Sequence, residues 1–273
     1  MNKNMRKMII ALLIAVFLFS GGMVLKKYMD YREGEQTYNE VEQLAGIDIE
    51  ESQPQPEEEE PGADEQTQDA EEKQNPLPKV SIENLKQLDI DALQKVNKEV
   101  MGWIIIPGAG ISYPLMDGDD NSYYLNRTWD RQWNTMGSIF LEAECSNKLT
   151  DFNTIIYGHN MRNTTMFSNL KKYVKKSYWE DAPYVYIAAG KNVYRYDIFA
   201  AYEVEVDGHV FWLRVEDDDL KQKFIDRSLE MSEINTGIVP TISDKILTLS
   251  TCTGNGHEKR MVVQAVLAEK EGE

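Results

Sequence analysis

Cys252 and Arg260 bracket a seven-residue stretch, TGNGHEK, and each stands at the end of an apolar run. Ile246, Leu247 and Leu249 lead up to Cys252, while Met261, Val263, Ala265 and Leu267 alternate after Arg260. Gly254 and Gly256 supply the positive φ that a tight reversal needs. A hairpin built this way sets the thiol beside the guanidinium at its mouth. A guanidinium keeps its charge, and a neighbouring cation favours thiolate over thiol, the form that attacks carbonyl carbon. Such a nucleophile wants an imidazole as acid/base partner. Three histidines are available. His159 follows the apolar run Asn153–Tyr157 in YGHNM, which puts it at the rim of a strand. His257 lies inside the reversal and is the rival base, but a flexible loop holds catalytic geometry poorly. His209, in Val206-Asp-Gly-His, reads as a surface turn residue. The hairpin alone leaves a plainer reading open: Cys252 as a small buried hydrophobe and Arg260 as a solvated edge residue.

Positioning these groups requires strands, and the sequence has them. Short apolar runs occur at 102–106, 111–115, 138–141, 153–157, 184–188 and 192–204, and with the opening pair they make about eight. Turn residues separate them, mostly at hairpin spacing, which suggests a mainly β fold with flanking helices, either closed barrel or sandwich. Ile82, Leu85, Leu88, Leu93, Val96 and Val100 mark amphipathic helix ahead of the strands, with Ser81 and Asp89 as candidate N-caps. Residues 166–174 form a short helical pattern. Asp218–Met231 is a longer one, and Asp217, Asp218 and Asp219 suit the positive N-terminus of a helix.

Composition divides the 273 residues into three zones. Residues 1–25 carry Lys3, Arg6 and Lys7 ahead of the apolar run Met8–Leu25. That run is at the short end of a membrane-spanning helix and longer than the apolar centre of a cleaved signal. It reads as an uncleaved anchor, with a cleaved signal as the alternative. The basic flank places the N-terminus inside and the rest of the chain outside. Residues 26–79 are polar. The first half could form a short helix. The second half holds −10 of the chain's −17 charge and has almost no large apolar side chain, so it reads as a disordered stalk. Residues 80–273 are long enough for one core. Their remaining acidity leaves no electrostatic footprint for nucleic acid. No pair of His or Cys has metal-ligand spacing, and no cofactor motif is present. Cys145, in Glu142-Ala-Glu-Cys-Ser-Asn, reads as an ordinary structural thiol, with a Cys145–Cys252 disulfide as the lesser alternative.

The residues around these candidates carry a family resemblance. Thr248-Leu249-Ser250-Thr251-Cys252, followed by Arg260, resembles the active-site signature of sortases. Tyr157-Gly158-His159-Asn160-Met161, followed by Met166-Phe167-Ser168-Asn169-Leu170, resembles their histidine segment. Gly102-Trp103-Ile104, Ile106-Pro107-Gly108, Tyr113-Pro114, Asn121–Leu125 and Gly137-Ser138-Ile139-Phe140 are similar to class B members. The match runs from about Leu85 to Leu267.

The resemblance implies a sortase-like closed β-barrel with an N-terminal helix and a helix inserted before the cysteine strand. It also implies a membrane-anchored cysteine transpeptidase at the cell surface. Cys252 is then the nucleophile, His159 the general acid/base and Arg260 the group that meets the oxyanion. Asn121, Leu125, Ser250 and Thr251 are the implied substrate-binding residues. The implied partners are surface proteins bearing a C-terminal sorting signal, and an acceptor amine from cell-wall peptide or a pilin lysine. One departure stands out: no acid directly follows Cys252, and Glu258 reads as solvated. Two other readings remain, a papain-like cysteine peptidase and a membrane-tethered binding module without catalysis. Arg260 and the β-rich pattern speak against the peptidase.

Overall fold

The apolar runs become strands. The computed structural model describes residues 3–46, 82–253 and 258–272. The strands are β1 (Val100–Ile106), β2 (Ile111–Met116), β3 (Ile139–Leu141), β4 (Asn153–Tyr157), β5 (Tyr184–Ala189), β6 (Asn192–Glu205), β7 (Ile246–Cys252) and β8 (Lys259–Glu271). They close into a barrel in the order β1-β2-β3-β4-β7-β8-β6-β5. Closure removes the exposed edges that an open sheet would present. Most neighbours are antiparallel, as hairpin spacing predicts. Two pairs are not: β2 and β3 run parallel, and so do β4 and β7. Between β4 and β7 the chain goes out through β5 and β6 and returns. That excursion brings two strand C-termini to the same rim.

The helices are α1 (Lys3–Leu44), α2 (Ile82–Leu85), α3 (Ile90–Val96), α4 (Lys176–Asp181) and α5 (Asp218–Met231). Asp89 caps α3, accepting from Ala92 N at 2.8 Å, and Asp217 caps α5, accepting from Leu220 N at 2.9 Å. Each satisfies a backbone donor that the first helical turn leaves free. Residues 168–174 form a 3₁₀ helix. Trp103, Ile187, Ile198, Leu249 and Val263 are fully buried in the main core. Helix α5 closes a second, smaller core with Phe152, Phe199, Tyr202, Val210, Phe224 and Val262.

The expected disordered stalk does not begin at Lys26. Helix α1 continues unbroken through residues 26–44, and its second half packs on the barrel. Tyr38, Val41 and Ala45 are buried. Tyr38 OH donates to Gly137 O, and its ring meets Tyr113 edge-on at 5.2 Å. Asn163 Nδ2 donates to Glu35 Oε1 at 2.7 Å. Tyr38, Val41 and Ala45 follow helical spacing, and that apolar stripe offsets the ordering cost the polar composition suggested. The acidic remainder, 47–79, and Ser81 lie outside the described residues.

Close approach fixes the seat of α1. A Cβ on Gly34 would stand 2.5 Å from Met136 Sδ and 2.8 Å from Asn134 Oδ1. Gly34→Val is therefore expected to lift the helix, at a cost of about 1–3 kcal/mol of overpacking. Thermal denaturation together with hydrogen exchange at Tyr38–Ala45 checks this, and unchanged protection there would count against the contact.

His209 departs from the surface turn expected of it. It is buried at the start of a 3₁₀ turn, with Nε2 3.1 Å from Ser228 Oγ and 3.3 Å from Tyr202 OH. Tyr202 OH donates on to Gln264 Oε1, Gln264 Nε2 to Thr248 Oγ1, and Thr248 Oγ1 to Asn153 Oδ1. This polar chain runs under α5 and ties the inserted segment to β7 and β4. Burial pulls the His209 pKa down from 6.5 to about 4, with the Arg227 charge adding to the effect. The fold thus prefers neutral imidazole. Its contribution is complete above pH 6.5 and is lost as pH falls towards 4. From this residue alone stability drops by about 2 kcal/mol between pH 7.5 and 5. Urea unfolding of the protein and of His209→Phe at both pH values measures it, and the variant should lack that part of the pH dependence.

Candidate active site

Three strands deliver the candidate groups to one rim. The β7–β8 register sets Cys252 directly opposite Arg260. The two residues are side by side because a short reversal separates two antiparallel strands whose alternating patterns meet in phase. Arg260 is half-buried, and Nη1 donates to Lys259 O at 3.0 Å. It also lies close enough to Tyr157 for its charge to act on that phenol.

The histidine reaches this place through parallel pairing. Tyr157, the last residue of β4, is level with Ser250 on β7, so His159 lies just past the end of β4 at the rim where β7 ends in Cys252. Gly158 N donates to Ser250 O at 3.2 Å, and Asn160 Nδ2 donates to Cys252 O at 2.8 Å. The first extends the ladder one step past the end of β4, and the second ties the following loop to the end of β7 by a side chain. Position 158 has to be glycine, since a Cβ there would come within 2.4 Å of Ile139 Cδ1 and 2.7 Å of Phe167 Cγ. The loop after His159 folds back, with Phe167 N donating to His159 O at 2.9 Å and Met166 N to Tyr113 OH at 3.0 Å.

The imidazole orientation follows from one bond. His159 Nε2 stands 2.5 Å from Leu125 O. A carbonyl only accepts, so Nε2 carries the proton in this arrangement and Nδ1 is left for proton exchange. Among the described residues no hydrogen bond joins the imidazole to the Cys252 thiol.

The four residues implied as substrate-binding fare differently. Leu125 is 42% exposed. The Asn121 amide is already engaged: Nδ2 donates to Glu142 Oε1, and Oδ1 accepts from Ala143 N at 2.9 Å. Ser250 and Thr251 are both buried, and among the described residues neither hydroxyl has a hydrogen-bond partner. Adjacent strand residues point to opposite faces, so only Ser250 shares the side of Cys252. Glu142, Tyr157 and Asn160 are the additions that sequence reasoning did not weigh as part of the site. Tyr157 OH donates to Glu142 Oε2 at 2.8 Å, and burial followed by that bond raises its pKa. A pair of residues fifteen apart has no local signature. Asn160 had one, its place directly after the histidine.

The remaining candidates recede. Cys145 is a free thiol pushed up to about 11 by burial, and Cys252 is also free. The lesser reading of a disulfide between them does not hold. Glu258 is exposed, as expected, while His257 lies outside the described residues. Among the described residues no cluster of His, Cys, Asp and Glu could hold a metal.

A closed barrel carrying Cys, Arg and His on one rim defines a thiol-dependent acyl-transfer enzyme. The sortase-domain model matches residues 104–268. A sortase B of Listeria monocytogenes is 35% identical over 180 residues, covering 65% of this chain and 73% of that protein. The Staphylococcus aureus sortase B–substrate complex superposes with a TM-score of 0.69 at 27% identity, covering 88% of this chain and 99% of that one. A sortase B complexed with triglycine gives 0.62 at 33% identity, covering 66% and 85%. The chain belongs to the sortase family of cysteine transpeptidases, and its likeness is to class B.

Proposed function

We propose that this sortase cleaves a C-terminal sorting signal of surface proteins at Cys252 and passes the acyl group to a cell-wall amine. The reading is carried by one observation, the Cys252–Arg260 register with the His159 segment just past the end of the neighbouring parallel strand and bonded to Cys252 O through Asn160. The Cys252 thiolate adds to the scissile carbonyl, and the π electrons move to oxygen. Arg260 donates to that oxygen as its charge grows. His159, protonated at Nδ1, gives this proton to the departing amine as the C–N bond breaks, leaving a thioester. An incoming amine then adds to the thioester. His159 Nδ1 accepts its proton, the thiolate leaves, and a new amide forms. The sortase B–substrate and sortase B–triglycine complexes of related proteins support a peptide donor and an amine-terminated acceptor.

Leu125 and Ser250 flank the reacting groups as substrate contacts. Asn121 acts through Glu142, and Thr251 supports β7 from the other face. Helix α1, long and apolar enough to cross a bilayer, is the anchor. Its basic start keeps the N-terminus inside and the barrel facing the wall. The test is incubation of the full chain in detergent with sorting-signal peptides and triglycine. The expected results are a thioester on Cys252, none on Cys145, and an amide product. Cleavage without amide formation, or no adduct with any signal in a peptide library, overturns the proposal.

A further inference from the structure

The way α1 meets the barrel sets where the barrel stands relative to a bilayer. This inference rests on the proposed membrane span. The apolar run of α1 closes at Leu25. Asp30 already bonds the barrel: its carbonyl accepts from Asn134 Nδ2 at 2.8 Å, and its carboxylate accepts from Thr135 Oγ1 and, at 3.3 Å, from Thr135 N. Five helical residues rise only about 7–8 Å, roughly the depth of one headgroup layer. The stretch 133–136 therefore stands at headgroup level. No hinge intervenes, because α1 is one unbroken helix. Gly34 sits against Asn134 and Met136, and Tyr38 is bonded to Gly137.

The acidic stretch does not act as a spacer in this arrangement. The chain leaves the docked helix at Gly46, and Asp89 N, just after the stretch, donates to Ala45 O at 3.2 Å. The described chain on either side of residues 47–81 thus meets, whatever the length between.

The surface at that level has matching chemistry. Trp133 is 64% exposed although it neighbours buried Asn134. A backbone bridge joins it to Arg127. The Arg127 guanidinium lies 5.5 Å from the Trp133 ring centre and 4.6 Å from that of Tyr123. Tyr28 on the helix is exposed, next to Lys26 and Lys27. Indole and phenol rings favour the boundary between headgroups and acyl chains, and Arg and Lys pair with lipid phosphate.

We propose that Trp133, Arg127 and Tyr123 form a phospholipid contact, and that α1 holds the barrel directly on the bilayer. Leu125, whose carbonyl engages His159, is two residues from Arg127. The active rim then opens beside the membrane, where a substrate still held in the bilayer can reach it.

The test uses the full chain in phosphatidylglycerol vesicles with and without brominated acyl chains. Brominated lipid is expected to quench a tryptophan component that Trp133→Phe lacks. A long Gly-Ser insert after Tyr28 is expected to abolish that component, and the same insert after Pro61 to leave it intact. Flotation of the same vesicles reports anchoring separately. A chain that floats without Trp133-specific quenching overturns the lipid contact and leaves the anchor standing. A chain that fails to float overturns both. Quenching that survives the insert after Tyr28, or is lost with the insert after Pro61, overturns the role of α1 in setting the height.

Discussion

His159→Ala is expected to lower kcat/KM for transpeptidation by about 10²–10⁴, the usual worth of a positioned acid/base group. The size follows from the site. Leu125 O engages Nε2, so in the proposed mechanism a single imidazole nitrogen moves protons in both half-reactions. Loss of the ring removes proton delivery to the leaving amine and proton removal from the incoming one. Circular dichroism and thermal melts should match the parent, because His159 is only half-buried and its own backbone carbonyl, not the ring, accepts from Phe167 N. Added imidazole should restore part of the rate. A variant at parental rates across pH would remove His159 from the mechanism.

Arg260→Ala is the second large effect. Removing a donor to a developing oxyanion typically costs about 10²–10³ in kcat, or roughly 3–4 kcal/mol. The loss should appear in kcat with KM little changed, since the oxygen gains its charge only on the way to the transition state. Arg260→Lys separates charge from geometry. Lysine keeps the cation but not the rigid fork of donors, so a partial rate would show that the fork matters. Rates near the parental value in Arg260→Ala would take away the oxyanion role and return Arg260 to the edge residue it first resembled.

Legibility in the sequence varied with the range of the contact. The strands were readable because alternation and turn residues are local, and α5 because Asp217 and its apolar positions lie within one helix. The pairing of Cys252 with Arg260 was readable for the same reason: a short reversal leaves little freedom of register. Asn121 was less readable. Its place near the site was implied, but the amide is turned inward to Glu142, twenty-one residues away. Ser250 and Thr251 were taken together as neighbours in sequence, whereas a strand sends them to opposite faces.

The sequence by itself named the candidate reacting groups and determined the strands next to them and the hairpin that pairs thiol with guanidinium. All of these rest on spacing within a few residues. Tertiary structure decided three other things. The parallel seating of β4 beside β7 brought the segment that carries His159 to the rim where β7 ends in Cys252, ninety-three positions away in the chain. The burial of His209 against Tyr202 and Ser228 turned an apparent loop residue into part of the core. The docking of α1 replaced the start of a polar stalk with a helix seated on the barrel. The physical reason is common to all three. Each contact is made by groups whose partner lies on another element, and composition near either partner carries no record of the other.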